Sequence, residues 1–126
     1  MSRNLALALL LWSAVWAQQS KPPTAEPAEE DESLAPKTYT FNPLQADKEV
    51  TIGNYYFKKK NYRAAAKRFT EATRWNPNSA EAYLRLGEAE EKLHDKDLAK
   101  EAYTKYLQLA PDAKNADFIK KKLADK

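Results

Sequence analysis

The chain has 126 residues, 43% of them hydrophobic and 31% charged, with a formal net charge of +3. That length allows one small domain with tails. Cysteine is absent, which excludes a disulfide framework, a thiolate metal site, a cysteine nucleophile and a lipid anchor on an N-terminal Cys. The single histidine, His94, leaves no second imidazole for a metal site. The two glycines, Gly53 and Gly87, are too few for a glycine-rich phosphate loop or for the tight turns of an all-β chain. The composition predicts an α-helical chain that is not an enzyme and carries no cofactor or metal.

Residues 1–17, MSRNLALALLLWSAVWA, begin with Arg3 and the amino terminus, continue through an apolar run over 5–16, and end on Val15-Trp16-Ala17. That is the charged start, apolar core and cleavage site of a secretory signal. As a helix the run reaches roughly 18 Å, short of the ~30 Å hydrocarbon core, so cleavage after Ala17 is favoured over retention as an anchor. An exported protein of bacterial type, periplasmic or extracellular, is the expectation. Residues 18–41 hold four of the seven prolines and the run Glu29-Glu30-Asp31-Glu32. Such a stretch cannot bury enough apolar surface to offset the entropy of ordering it, so a disordered linker is expected. Its net charge is −3, against +5 over residues 43–126. The folded domain is expected over 42–126.

Gly53 and Gly87 are 34 residues apart, as are Ala65 and Ala99, Phe69 and Tyr103, and Pro77 and Pro111. One offset without gaps marks an internal repeat. Tyr62, Ala65, Ala66, Phe69 and Ala72 fall on one helical face, and Leu98, Ala99, Ala102, Tyr103, Tyr106 and Leu109 do the same. An upstream helix is predicted over about 43–59, with Asn42 as N-cap and Pro43 at the first position. Another is predicted over about 79–93, beginning beside Asn78 and Ser79. These helices should end near Asn61 and Asp95. Each copy is thus an antiparallel pair, helix A then helix B. Gly53 is expected to cross at Ala65, and Gly87 at Ala99, letting the backbones approach below the usual ~8–10 Å. On that view Leu at either glycine overpacks, whereas Ala is tolerated. Pro77 and Pro111 stop helix B. A third copy starts near Lys114 and fails, with Lys120 where the repeat wants Leu. Ala116, Ile119 and Leu123 form the stripe of a capping helix over about 114–125.

This pattern resembles the tetratricopeptide repeat (TPR) family over residues 46–113, as repeats about 46–79 and 80–113. The first matches at Gly53, Tyr56, Ala65, Phe69, Ala72 and Pro77, and the second at Tyr83, Leu86, Gly87, Ala99, Tyr103 and Pro111. Glu49 stands where the family often has Trp, Glu90 where it often has Tyr, and Tyr106 where it favours a small residue. Lys60 and His94 take a turn position that is commonly Gly. The resemblance implies an all-α fold, a short solenoid of about five helices. About three repeats are usual for stability, so self-association would help so short an array. It also implies a non-catalytic scaffold whose helices A line a concave groove for a protein or peptide partner. By position the groove residues are Val50, Asn54, Phe57, Lys58, Leu84, Glu88 and Glu91. Asn54 matches a groove asparagine common in the family. Val50 replaces the lysine of the chaperone-binding version, which argues against a chaperone C-terminus as ligand. Phe57 is either a groove anchor or a packing partner of Tyr39 or Phe41. The strings GNYYFKKKNYRAAAKRF and LGEAEEKL also resemble repeats of bacterial outer-membrane barrel-assembly lipoproteins, which carry a lipidated Cys and a longer array.

Other clusters read as surface. Glu88, Glu90 and Glu91 are expected on a solvated helix face, and His94 in an exposed turn. Lys58, Lys59, Lys60, Arg63, Lys67 and Arg68 lie among Tyr55, Tyr56, Phe57 and Tyr62, a mixture that can bind nucleic acid. The core needs Tyr56 and Tyr62, and export removes the protein from most nucleic acid, so nucleic acid is not the expected partner. Any membrane contact would be peripheral.

Overall fold

The computed structural model describes residues 37–125, and the signal segment and residues 18–36 of the expected linker lie outside them. Five helices follow in order: α1 (Pro43–Lys58), α2 (Tyr62–Trp75), α3 (Ala80–Lys92), α4 (Lys96–Leu109) and α5 (Ala116–Ala124). α1 packs on α2 and α3 on α4, while α2–α3 and α1–α3 contacts join the two pairs. The described residues are all-α, as the repeat predicts.

Side-chain caps start the first four helices. Asn42 Oδ1 accepts from Gln45 N at 3.1 Å, Asn61 Oδ1 from Ala64 N at 3.2 Å, Ser79 Oγ from Ala82 N at 3.3 Å and Asp95 Oδ1 from Leu98 N at 3.0 Å. Asn61 and Asp95, expected at the ends of helices A, therefore begin helices B. α1 and α3 end one turn earlier in matching motifs. Lys60 N donates to Phe57 O and Asn61 N to Tyr56 O; His94 N donates to Glu91 O and Asp95 N to Glu90 O. This Schellman arrangement needs a left-handed residue, and Lys60 (φ 62°) and His94 (φ 61°) supply it. A side chain in that region costs about 1–2 kcal/mol, and glycine gives back part of the gain as unfolded-state entropy. Lys60→Gly and His94→Gly should each stabilise the fold by about 0.5–1 kcal/mol, read as a raised Tm.

The core is built on small residues and aromatic rings. Ala46, Ala65, Ala72, Ala82 and Ala89 are fully buried, and Phe69 and Tyr103 are the largest fully buried side chains. Each ring lies over the glycine 16 residues upstream. A Cβ on Gly53 would overlap the Phe69 ring, and one on Gly87 would stand 2.5 Å from Tyr103 Cε1. The expected tolerance of Ala at these glycines is therefore corrected: the close approach is glycine to aromatic face.

Three further departures have physical causes. Glu49, in a position the family often gives to Trp, is buried and meets buried Arg68 at 3.3 Å, with Gln45 Nε2 donating to its other oxygen at 3.1 Å. Arg68 thus leaves the basic surface cluster for the core. The linker is not free as far as 41. Tyr39 OH lies 2.7 and 2.9 Å from the two oxygens of buried Glu71, and its ring meets Trp75 edge-to-face at 5.0 Å. Asn42 N also donates to Trp75 O at 2.9 Å, so residues 39–42 are tied to the end of α2. Finally, α5 begins at Ala116 and is not an in-register third helix A. Ile119 is 2% exposed, whereas its counterparts Thr51 and Arg85 are more exposed. The roll keeps Lys120 in solvent. Tyr106 OH donates to Asn115 Oδ1, which occupies the side chain that would have capped α5.

Candidate functional site

Helices α1 and α3 pack side by side, and the positions expected to line a groove recur on them at the 34-residue offset: 50 with 84, 54 with 88, 57 with 91. Val50 does not belong to that surface. It is 5% exposed and packs in the first core cluster, because α1 turns it toward its neighbours rather than to solvent. Asn54 is half-buried, Phe57 is half-buried, and Lys58 is exposed at the end of α1. Phe57 makes no ring contact with Tyr39 or Phe41: it packs against the first core cluster, and its ring meets Tyr62 edge-to-face at 5.1 Å. That contact spans the α1–α2 turn and fixes the ring while leaving part of it in solvent.

On α3, Leu84 is half-buried against the second core cluster. Glu88 pairs with Arg85 at 3.2 Å. Glu91 accepts a hydrogen bond from Tyr103 OH and meets Lys122 Nζ at 2.6 Å. Burial pushes the Glu91 carboxyl up, but the hydrogen bonds from Lys122 and Tyr103 outweigh it and hold the group below the usual carboxylate range. Burial, followed by the bond to Glu91, pushes the Tyr103 phenol up. Lys122 also lies 5.0 Å from the ring centroid of Phe118, which is 60% exposed. Glu91 is thus the tether that holds α5 to α3, a role its place on a charged helix face did not signal.

A second concavity lies elsewhere. A cleft of about 900 Å³ runs between α2 and α4, with Tyr83, Leu86 and Glu90 of α3 among its lining. Thr70 and Thr73 come from α2, and Leu98, Ala102 and Lys105 are among those from α4. At 100° per residue these α3 positions lie roughly a third of a turn from Leu84, Glu88 and Glu91, so the two surfaces are distinct. Glu90 is 8% exposed, which corrects its expected place on a solvated face. Burial first, and the nearby Asp95 second, push its carboxyl above the ordinary range. Burial also raises the Tyr83 phenol. The only sequence signal for this cleft is Glu90 standing where the first copy has Tyr56.

Among the described residues, no group of three or more His, Cys, Asp or Glu is placed to hold a metal. No described helix is long and apolar enough to cross a membrane. Comparison with curated proteins returned no match. A family model described as the tetratricopeptide repeat matches residues 50–114, from within α1 through α4 and the turn after it. Paired helices at a 34-residue period, small residues beneath the aromatic rings and that match lead to one conclusion: the chain belongs to the tetratricopeptide repeat family, whose repeats are protein–protein interaction modules.

Proposed function

We propose that the protein is an exported, non-catalytic adaptor of the cell envelope that seats a partner's peptide segment on the face shared by α1 and α3. The export reading rests on the signal pattern of residues 1–17. The observation that carries the binding reading is Phe57, a half-buried ring held by Tyr62 on the α1 side of that face. A fixed aromatic loses little freedom when it meets a ligand, which is what a binding anchor requires. Leu84 adds a second half-buried apolar surface from α3.

Phe57→Ala and Leu84→Ala should each weaken partner capture while leaving helicity unchanged. A central apolar anchor contributes upwards of ~2 kcal/mol, about thirtyfold in affinity. Exposed Lys58 should act mainly on association rate and salt dependence. Affinity capture from envelope extracts, with circular dichroism as folding control, measures both. Capture that survives both substitutions sinks the reading. Enrichment of outer-membrane assembly proteins would place the adaptor beside the barrel-assembly group. Terminal sequencing of the native protein should begin at Gln18, and an intact Met1 in a membrane fraction would convert the exported form to an anchored one.

A further inference from the structure

The two copies solve one position differently. Tyr56 is 5% exposed in the first, and its counterpart Glu90 is 8% exposed in the second. A buried carboxylate is costly unless a counter-charge or hydrogen bonds accompany it. The other buried acids have theirs: Glu49 meets Arg68, and Glu71 meets Tyr39, Arg74 and Lys37. Among the described residues, no hydrogen bond or ion pair reaches the Glu90 carboxylate, and the charge acting on it is that of Asp95, of the same sign. No described side-chain N or O atom is both fully enclosed and unpaired. The Glu90 oxygens therefore open on the cleft that the residue lines.

The cleft surrounds that carboxylate with apolar surface. Leu86 and Tyr83 flank it on α3, and Ala102 and Leu98 (46% exposed) stand on α4. The α2 wall contributes Thr70 and Thr73, without charge. The α4 wall carries Asp97 and Glu101 against Lys100 and Lys105, and neither lysine forms an ion pair with Glu90. What the site lacks is a cation paired with the Glu90 carboxylate. A natural sequence keeps a locally unfavourable residue most often where function requires it.

We infer that the α2–α4 cleft is a second docking site, which takes a lysine or arginine side chain of a partner segment, seats its cationic head on Glu90 and packs a neighbouring apolar residue on Leu86 and Leu98. The inference stands apart from the α1–α3 face, because no residue of that face lines the cleft.

The test is an NMR titration of the full ¹⁵N-labelled chain with acetyl-Leu-Arg-Leu-amide and, in parallel, acetyl-Leu-Gln-Leu-amide. The arginine peptide should shift the amides of Tyr83, Leu86, Glu90 and Ala102, at least tenfold more tightly than the glutamine peptide. The side-chain ¹³C titration of Glu90 should move to lower pH when the arginine peptide is present, as a paired cation requires. Glu90→Gln should weaken the arginine peptide at least tenfold. Glu90→Tyr, which installs the first copy's residue, should abolish the response and raise Tm. Equal response to the two peptides, an unmoved Glu90 titration, or shifts confined to Asn54, Phe57 and Leu84 would each overturn the assignment. The wild-type comparison decides it even if a variant fails to fold.

Discussion

Gly53→Ala should lower the thermal midpoint, Gly87→Ala should do the same, and Leu at either position should lower it further. Intrinsic propensity argues the other way, since alanine favours a helix interior by up to ~1 kcal/mol. The contact decides the sign. An added methyl at Gly53 overlaps the Phe69 ring, and at Gly87 it reaches 2.5 Å from Tyr103 Cε1. Neither ring has room to yield, because Phe69 is 0% and Tyr103 2% exposed and both are enclosed by core side chains. Overpacking of this kind costs about 1–3 kcal/mol, and in a domain of this size each kcal/mol moves Tm by about 4–8 °C. Far-ultraviolet melts of the wild type and the four variants give the order directly. Alanine variants that melt with the wild type would mean the rings shift aside without cost.

The same pair of contacts shows how far the sequence was legible. A 34-residue offset linking Gly53 to Gly87 and Phe69 to Tyr103 was enough to predict the helix pairs and the proline stops of helices B, but not that Asn61 and Asp95 cap those helices. It did not say that glycine and ring touch, since spacing identifies a shared face and not the atom opposite. Charged residues were read least well, and for one reason. Periodicity assigns an apolar residue to the core and a charged one to solvent, whereas Glu49, Arg68, Glu71 and Glu90 are all buried. Glu49 and Arg68 are 19 residues apart and on different helices, a separation no single-helix pattern links. Tyr39 reaches Glu71 across 32 residues from a segment whose proline and acid content reads as a tether. On the face shared by α1 and α3, the family resemblance implied groove positions at Phe57 and Leu84, which are half-buried, and also at Val50, which packing removes. Register missed the α2–α4 cleft, because that cleft depends on how two helices B splay over one helix A.

The buried pair in the first copy carries the largest effect expected in the fold. Arg68→Ala leaves Glu49 buried with only Gln45 beside it, and Glu49→Tyr leaves Arg68 buried without its carboxylate. Removing one partner of such a pair costs about 3–5 kcal/mol, since the survivor keeps its desolvation penalty and loses its counter-charge. The second copy shows the apolar alternative: Tyr83 stands at the position of Glu49 and buried Ala102 at that of Arg68. The double variant Glu49→Tyr/Arg68→Ala therefore transplants one repeat's packing into the other. It should recover most or all of the wild-type stability, because a large aromatic beside a small residue fills the space two long polar chains now fill. Replacing a buried ion pair with apolar groups is often neutral or stabilising by 1–4 kcal/mol. Urea unfolding of the wild type, both single variants and the double variant closes a thermodynamic cycle whose coupling energy should be several kcal/mol. Single variants as stable as the wild type would show the pair to be solvated. A double variant no better than the worse single would show that α1 and α2 require the ion pair to set their separation, and that the two copies are equivalent in register but not in packing.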